Sequence, residues 1–184
     1  MESVLTEAEA LLLREMRNCA YLNNLCAPAD TTDWRHRSFH DLILEHGRLF
    51  TPAPLPTGVN EMLPGTCYRS AGELADKTGR IYVEGVGIGV PALPFSTEHA
   101  WCADPGSSLA IDPTWLPTGA AYLGLPLAPE FRRWLQNPRV NRTHKALYGK
   151  HWEQLFRTGL PEDALVPDVG RPVPTYETEE AASS

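Results

Sequence analysis

His99-Ala100-Trp101-Cys102-Ala103-Asp104-Pro105-Gly106-Ser107-Ser108-Leu109-Ala110-Ile111-Asp112-Pro113-Thr114-Trp115 is the stretch on which the reading of this chain turns. His99 to Ala103 and Leu109 to Ile111 have strand character, and Asp104 to Ser107 is a strong turn signal between them. Strand alternation puts His99 and Trp101 on one face, Ala100 and Cys102 on the other. Folding back around the turn sets the residues before it beside those after it. Asp112 then becomes a cross-strand neighbour of His99, where a carboxylate can orient an imidazole. Each residue also has a plain structural reading. His99 can be a half-buried histidine bonded to a backbone carbonyl, and Asp112, preceding Pro113, can be a former of a local turn.

Upstream, Arg80 to Val90 is rich in Ile, Val and Tyr and predicts a further strand. Its Gly85, Gly87 and Gly89 are spaced Gly-x-Gly-x-Gly with no helix after them, so a dinucleotide-binding turn is excluded. They are expected to keep one face bare for a close approach by the nucleophile helix or a substrate backbone. Thr66 to Lys77 follows Pro64-Gly65 and predicts a helix whose start carries Cys67. A helix N-terminus favours thiolate over thiol, and the thiolate is the nucleophile. The backbone N–H of Cys67 points out of that helix end, available to a developing oxyanion. A buried, inert cysteine is the commoner fate of the residue type. One helix followed by at least three antiparallel strands makes the fold class α+β, a helix packed on a sheet.

Further out, Thr6 to Leu25 reads as a helix with a capping box from Thr6 to Glu9. Trp34 to Leu49 carries a weaker helical pattern. His36 and His40 there are four apart, but no third ligand is evident and no metal site is assigned. Thr51 to Pro64 reads as a proline-rich connection, and Ala128 to Gln136 and Asn141 to Phe156 as late helices. The expected organisation is one domain over 1–160, with extra helices at both ends, and an acidic, mobile tail over 161–184.

The 184 residues carry a formal net charge of -7, which argues against a nucleic-acid surface. The four cysteines show no Cys-x-x-Cys spacing, and a chain this long has no need of disulfides. The N-terminus lacks the pattern of a secretory signal, and no stretch approaches the roughly 18 apolar residues of a membrane span. The expectation is a cytoplasmic protein with reduced thiols, no membrane partner and no cofactor.

Taken in order, Gly65-Thr66-Cys67 with Ala71, Arg80-Ile81-Tyr82-Val83-Glu84-Gly85, His99-Ala100-Trp101 and Asp112-Pro113-Thr114 resemble the transglutaminase-like branch of the papain-like cysteine hydrolases. The matched region spans about Pro64 to Trp115. The resemblance implies a papain-like core with Cys67 as nucleophile, His99 as general base and acid, and Asp112 as the orienting carboxylate. It also implies a second oxyanion donor upstream of the nucleophile, for which Asn60 and Trp34 are the candidates. Trp101, Glu84 and Phe95 are groove candidates, with Pro91 and Pro94 beside Phe95. The implied chemistry is acyl transfer from a peptide or protein amide through a thioacyl intermediate. The short segment from Cys67 to His99 favours hydrolysis over amine transfer, because little chain is left to enclose a second substrate. The rival readings are a catalytically silent peptide-binding module on the same fold and a Cys/His/Asp zinc enzyme, the latter disfavoured because Cys102 faces away from His99.

Overall fold

The computed structural model describes residues 4–89, 95–115, 118–137, 139, 144–147 and 151–174. The protein is mixed α+β, with helices α1 (Glu7–Cys26), α2 (Phe39–His46), α3 (Cys67–Thr78), α4 (Pro129–Leu135) and α5 (Trp152–Thr158). The strands are β1 (Arg48–Pro52), β2 (Ile81–Ile88), β3 (Ser96–Ala103), β4 (Leu109–Ala110), β5 (Ala121–Leu127) and β6 (Arg171–Pro172). Among the described residues no helix is long and apolar enough to cross a membrane.

The helix starts follow from local chemistry. Thr6 and Glu9 exchange the two hydrogen bonds of a capping box at the head of α1. The Trp34–Leu49 helix proves shorter than its pattern, because the Ser38 side chain accepts the Asp41 N–H and starts α2 only at Phe39. Gly79, at φ 73°, ends α3 in the left-handed conformation.

The sheet runs β3-β2-β5-β1-β4, with β6 also on β1. β2 pairs antiparallel with β3 from Ile81↔Ala103 to Ile88↔Ser96, and with β5 on its other edge. Besides the short β6, two strands were hidden in the sequence. β5 is buried at every residue and contains Gly124 and Pro126, so it shows neither alternation nor the composition of a strand. β1 begins where the sequence suggests a helix end and runs through Pro52 into the expected connection. The turn at 104–107 is present, with Ser107 N–H donating to Asp104 O at 3.0 Å and Gly106 at φ 73°. Beyond it, Leu109 and Ala110 pair parallel with β1, while Ile111 bridges back to Cys102 of β3. The expected hairpin is thus a single bridge on β3, and its return strand belongs mainly to β1.

Helix α3 packs on the Ala100/Cys102 side of β3, through Ala71, Leu74 and Ala75. On the other side, Trp101 packs with Phe50, Val83, Tyr122 and Val169. Helix α1 closes a third cluster through Leu12, Leu13 and Met16 against Ile43, Leu49 and Leu123.

The domain boundary expected at residue 160 is corrected. Residues 161–174 lie on the body: Ala164 and Val169 are fully buried, β6 pairs with β1, and Arg171 forms an ion pair with the buried Glu9. Two apolar anchors and a short ladder suffice to hold a segment of acidic composition, because composition averages over the few residues that dock. Residues 175–184 lie outside the described residues. The expected helix over 141–156 is shorter, beginning at Trp152; residues 144–147 are not helical, and parts of that span also lie outside the described residues.

Candidate functional site

Cys67 is the first residue of α3 and is 93% removed from solvent. The first N–H satisfied within this helix is that of Ser70, donating to Thr66 O at 2.8 Å. Among the described residues the N–H of Cys67 has no hydrogen-bond partner and remains one of the open donors of the helix start.

His99, on β3, is buried, and its Nε2 lies 2.7 Å from Asp112 Oδ2. With Nε2 so engaged, Nδ1 is the ring nitrogen left for another partner, and the Cys67 side chain lies close enough to the imidazole to raise its pKa. Burial disfavours the imidazolium, but the hydrogen bonds and charge of Asp112 and Cys67 outweigh it and hold the His99 pKa above its ordinary value. Trp115 lies face to face on the imidazole, ring centroids 3.8 Å apart and planes 13° from parallel. The space for that indole comes from Gly87, where a Cβ would sit 2.9 Å from the Trp115 ring. The bare face of this strand thus receives a tryptophan, and the expectation that it would receive the nucleophile helix is corrected.

Asp112 is held from every side. Its Oδ2 accepts from His99 and from the Tyr122 hydroxyl at 2.9 Å. Its Oδ1 accepts the Thr114 N–H at 3.0 Å, the Thr114 hydroxyl at 2.9 Å and the Trp115 N–H at 3.3 Å. Burial alone would raise this carboxyl, but the His99, Thr114 and Tyr122 contacts hold its pKa below the usual value. Asp112 therefore serves both as partner of His99 and as turn former, through its two separate oxygens. It does so without being register-opposite His99: the bridge at Cys102↔Ile111 sets the pairing, and Asp112 reaches back diagonally.

The remaining candidates fare differently. Trp101 is wholly buried in the core and is no groove residue; its ring fills the space left by Gly124, where a Cβ would sit 2.7 Å from it. Glu84 is also buried and spends its carboxylate internally, accepting from the Tyr82 hydroxyl and from the N–H groups of Ala146 and Leu147 at 2.7 and 2.9 Å. Burial pushes its pKa up to about 7 against those donors. One edge of it lines a cavity of about 140 Å³ with Tyr68, Gly85, Glu98 and Lys145. Phe95 is exposed just ahead of β3, and Pro91 and Pro94 lie outside the described residues. Asn60 is exposed and, among the described residues, takes no part in the hydrogen bonds of the site. Its loop does pass the site, since Met62 N–H donates to Pro113 O at 2.8 Å. Trp34 lies under the Arg157 guanidinium at 5.0 Å. Cys102 points its sulfur to Ala71 O at 3.2 Å, and burial pushes its thiol up to about 12, which leaves it inert.

Sequence reasoning missed two residues of the site: Trp115, whose stacking on His99 has no local signal, and Tyr122, because the strand carrying it was not recognised. Its hydroxyl accepts the Gly119 N–H at 2.9 Å while donating to Asp112.

The site thus consists of an imidazole bonded to a buried carboxylate and capped by an indole, with a helix-start thiol close by. No protein family, curated protein or solved structure matches the chain.

Proposed function

We propose that this protein is a cysteine-dependent hydrolase of amides, built on a papain-like core of the transglutaminase-like kind. The observation that carries the reading is the buried pair of His99 and Asp112, 2.7 Å apart, with the helix-start thiol of Cys67 near enough to help raise the imidazole pKa. Cys67 attacks the carbonyl carbon of a peptide or side-chain amide as His99 takes the thiol proton. The negative oxygen that develops is met by the N–H of Cys67 at the head of α3. His99 returns the proton to the leaving amine, and water, deprotonated by the same imidazole, releases the acid and restores the thiol. Asp112 keeps the ring in one orientation and tautomer and stabilises the imidazolium.

Limiting iodoacetamide followed by peptide mapping tests the nucleophile. Cys67 is expected to label faster than the exposed Cys26 despite its burial, with parallel loss of turnover on a fluorogenic amide panel. Labelling in the order of exposure, Cys26 first and Cys67 with Cys102 last, overturns the reading in favour of a silent binding module. A labelled primary amine in the same assay separates the acceptors: free acid is expected, and predominant amine incorporation overturns hydrolysis while leaving Cys67 as nucleophile.

A further inference from the structure

A second cluster of chemically capable side chains lies at α2 and the segment before it. His36, in the segment before α2, and Glu45 and His46, at the end of α2, each direct one ligating atom to a common point, all within 4.8 Å of one another. His36 Nε2 is 3.0 Å from Glu45 Oε2, and His46 Nε2 is 3.6 Å from Glu45 Oε1. Bonds of about 2.0–2.1 Å in a tetrahedral site require donors separated by roughly 3.3 Å, so these spacings need only small adjustments. The two imidazoles meet edge to face, with centroids 5.3 Å apart.

Hydrogen bonding accounts poorly for His36. Its side chain is 1% exposed, its buried Nδ1 has no partner among the described residues, and its Nε2 shares one carboxylate with His46. The backbone nevertheless fixes it, through His36 N–H donating to Phe156 O at 2.9 Å. His40, four residues on, is turned away toward Asn23 at 3.1 Å, so the pair suggested by sequence spacing does not form. The ligand set is completed by residues nine and ten positions later. Glu45 and His46 also line a broad groove of about 780 Å³, which leaves a fourth coordination position open to water or a small ligand.

The geometry points to a divalent transition-metal site at His36, Glu45 and His46, suited to Zn²⁺. Two imidazoles and one carboxylate with an open position is a donor set that zinc accepts. Arg35, 60% exposed, now neutralises Glu45 from the solvent side and is the group that a cation displaces. This inference is independent of the chemistry proposed at Cys67.

Equilibrium dialysis of the full chain against Zn²⁺, with metal analysis, tests it. One equivalent is expected to bind in the micromolar range and to raise the melting temperature. Because a thiol–imidazole pair also attracts zinc, the measurement is repeated with Cys67→Ala, which should retain the equivalent. Glu45→Gln and His46→Ala, both at partly exposed positions and checked for folding by circular dichroism, should each weaken binding tenfold or more, whereas His40→Ala should not. Arg35→Ala should tighten it severalfold, an effect opposite to that of a purely structural Arg35–Glu45–His36 network. No bound equivalent at 100 µM free Zn²⁺, loss of binding in Cys67→Ala, or binding that survives His46→Ala overturns the assignment.

Discussion

Asp112 and Glu84 are both buried carboxylates next to the same sheet, yet their acidities move in opposite directions. Asp112 faces five donors, one of them an imidazole whose own pKa is raised, and is held ionised. Glu84 faces three donors, none of them charged, and burial dominates, so it titrates at about 7. Burial by itself therefore does not set the state of a carboxyl; the donors gathered around it do. The difference also separates two jobs. Asp112 orients His99, whereas Glu84 ties the 144–147 segment to β2.

Replacing Asp112 should break this contrast most severely. Asp112→Asn keeps the shape but presents an amide to His99, and turnover should fall roughly a thousandfold or more while the far-ultraviolet circular dichroism is unchanged. Full activity in that variant would reduce Asp112 to its role in the turn with Thr114.

Glu84 offers the reverse result, a loss of stability rather than of chemistry. Glu84→Ala strands the Tyr82 hydroxyl and two backbone N–H groups in the interior, at a cost on the order of 3 kcal/mol in urea denaturation. Glu84→Gln sharpens the point through pH. The folded state holds the Glu84 proton up to about pH 7, whereas the ordinary carboxyl releases it near 4.5. The folded protein thus binds more protons in that window, and the contribution of Glu84 to stability declines as pH rises from 4.5 to 7. In Glu84→Gln this decline should vanish. For Asp112, whose folded pKa is lowered, the sign is opposite: its contribution is present above the ordinary carboxylate pKa and lost as pH falls through the folded value. An Asp112→Asn protein should lack that acid-side loss, and identical pH profiles for the two variants would refute the distinction.

The smallest effect belongs to Tyr122. Tyr122→Phe removes one of the five donors to Asp112 and strands the Gly119 N–H, yet leaves the His99 contact in place. Turnover should drop about tenfold, near the worth of one hydrogen bond to a charged group. A loss as large as that of Asp112→Asn would mean that Tyr122, and not the carboxylate, orients the imidazole.

Much of the site was legible because its information is local. A helix start after Pro64-Gly65, the Asp104–Ser107 turn and the strand at His99 each involve near neighbours, and they put Cys67 at a helix start and His99 on a strand, while Asp112 meets His99 outside the expected register. The chain order of those elements sufficed to read a helix packed on a sheet. What failed was information carried at a distance. β5 is central in the sheet, so both its faces are covered and its sequence has no alternation to detect. Without β5 there was no Tyr122, and Glu84 and Trp101 resembled groove residues although their partners, Ala146, Leu147 and Gly124, lie far away along the chain. The His36 neighbours were missed for the same reason, since spacing suggested His40 and packing delivered Glu45 and His46. The sequence by itself determined which residue types stand at helix starts, turns and strand faces, because those preferences reside in the backbone and its nearest side chains. Tertiary structure alone decided which polar groups are buried, who satisfies them and hence which are charged, because desolvation and hydrogen bonding depend on partners brought together only by the fold.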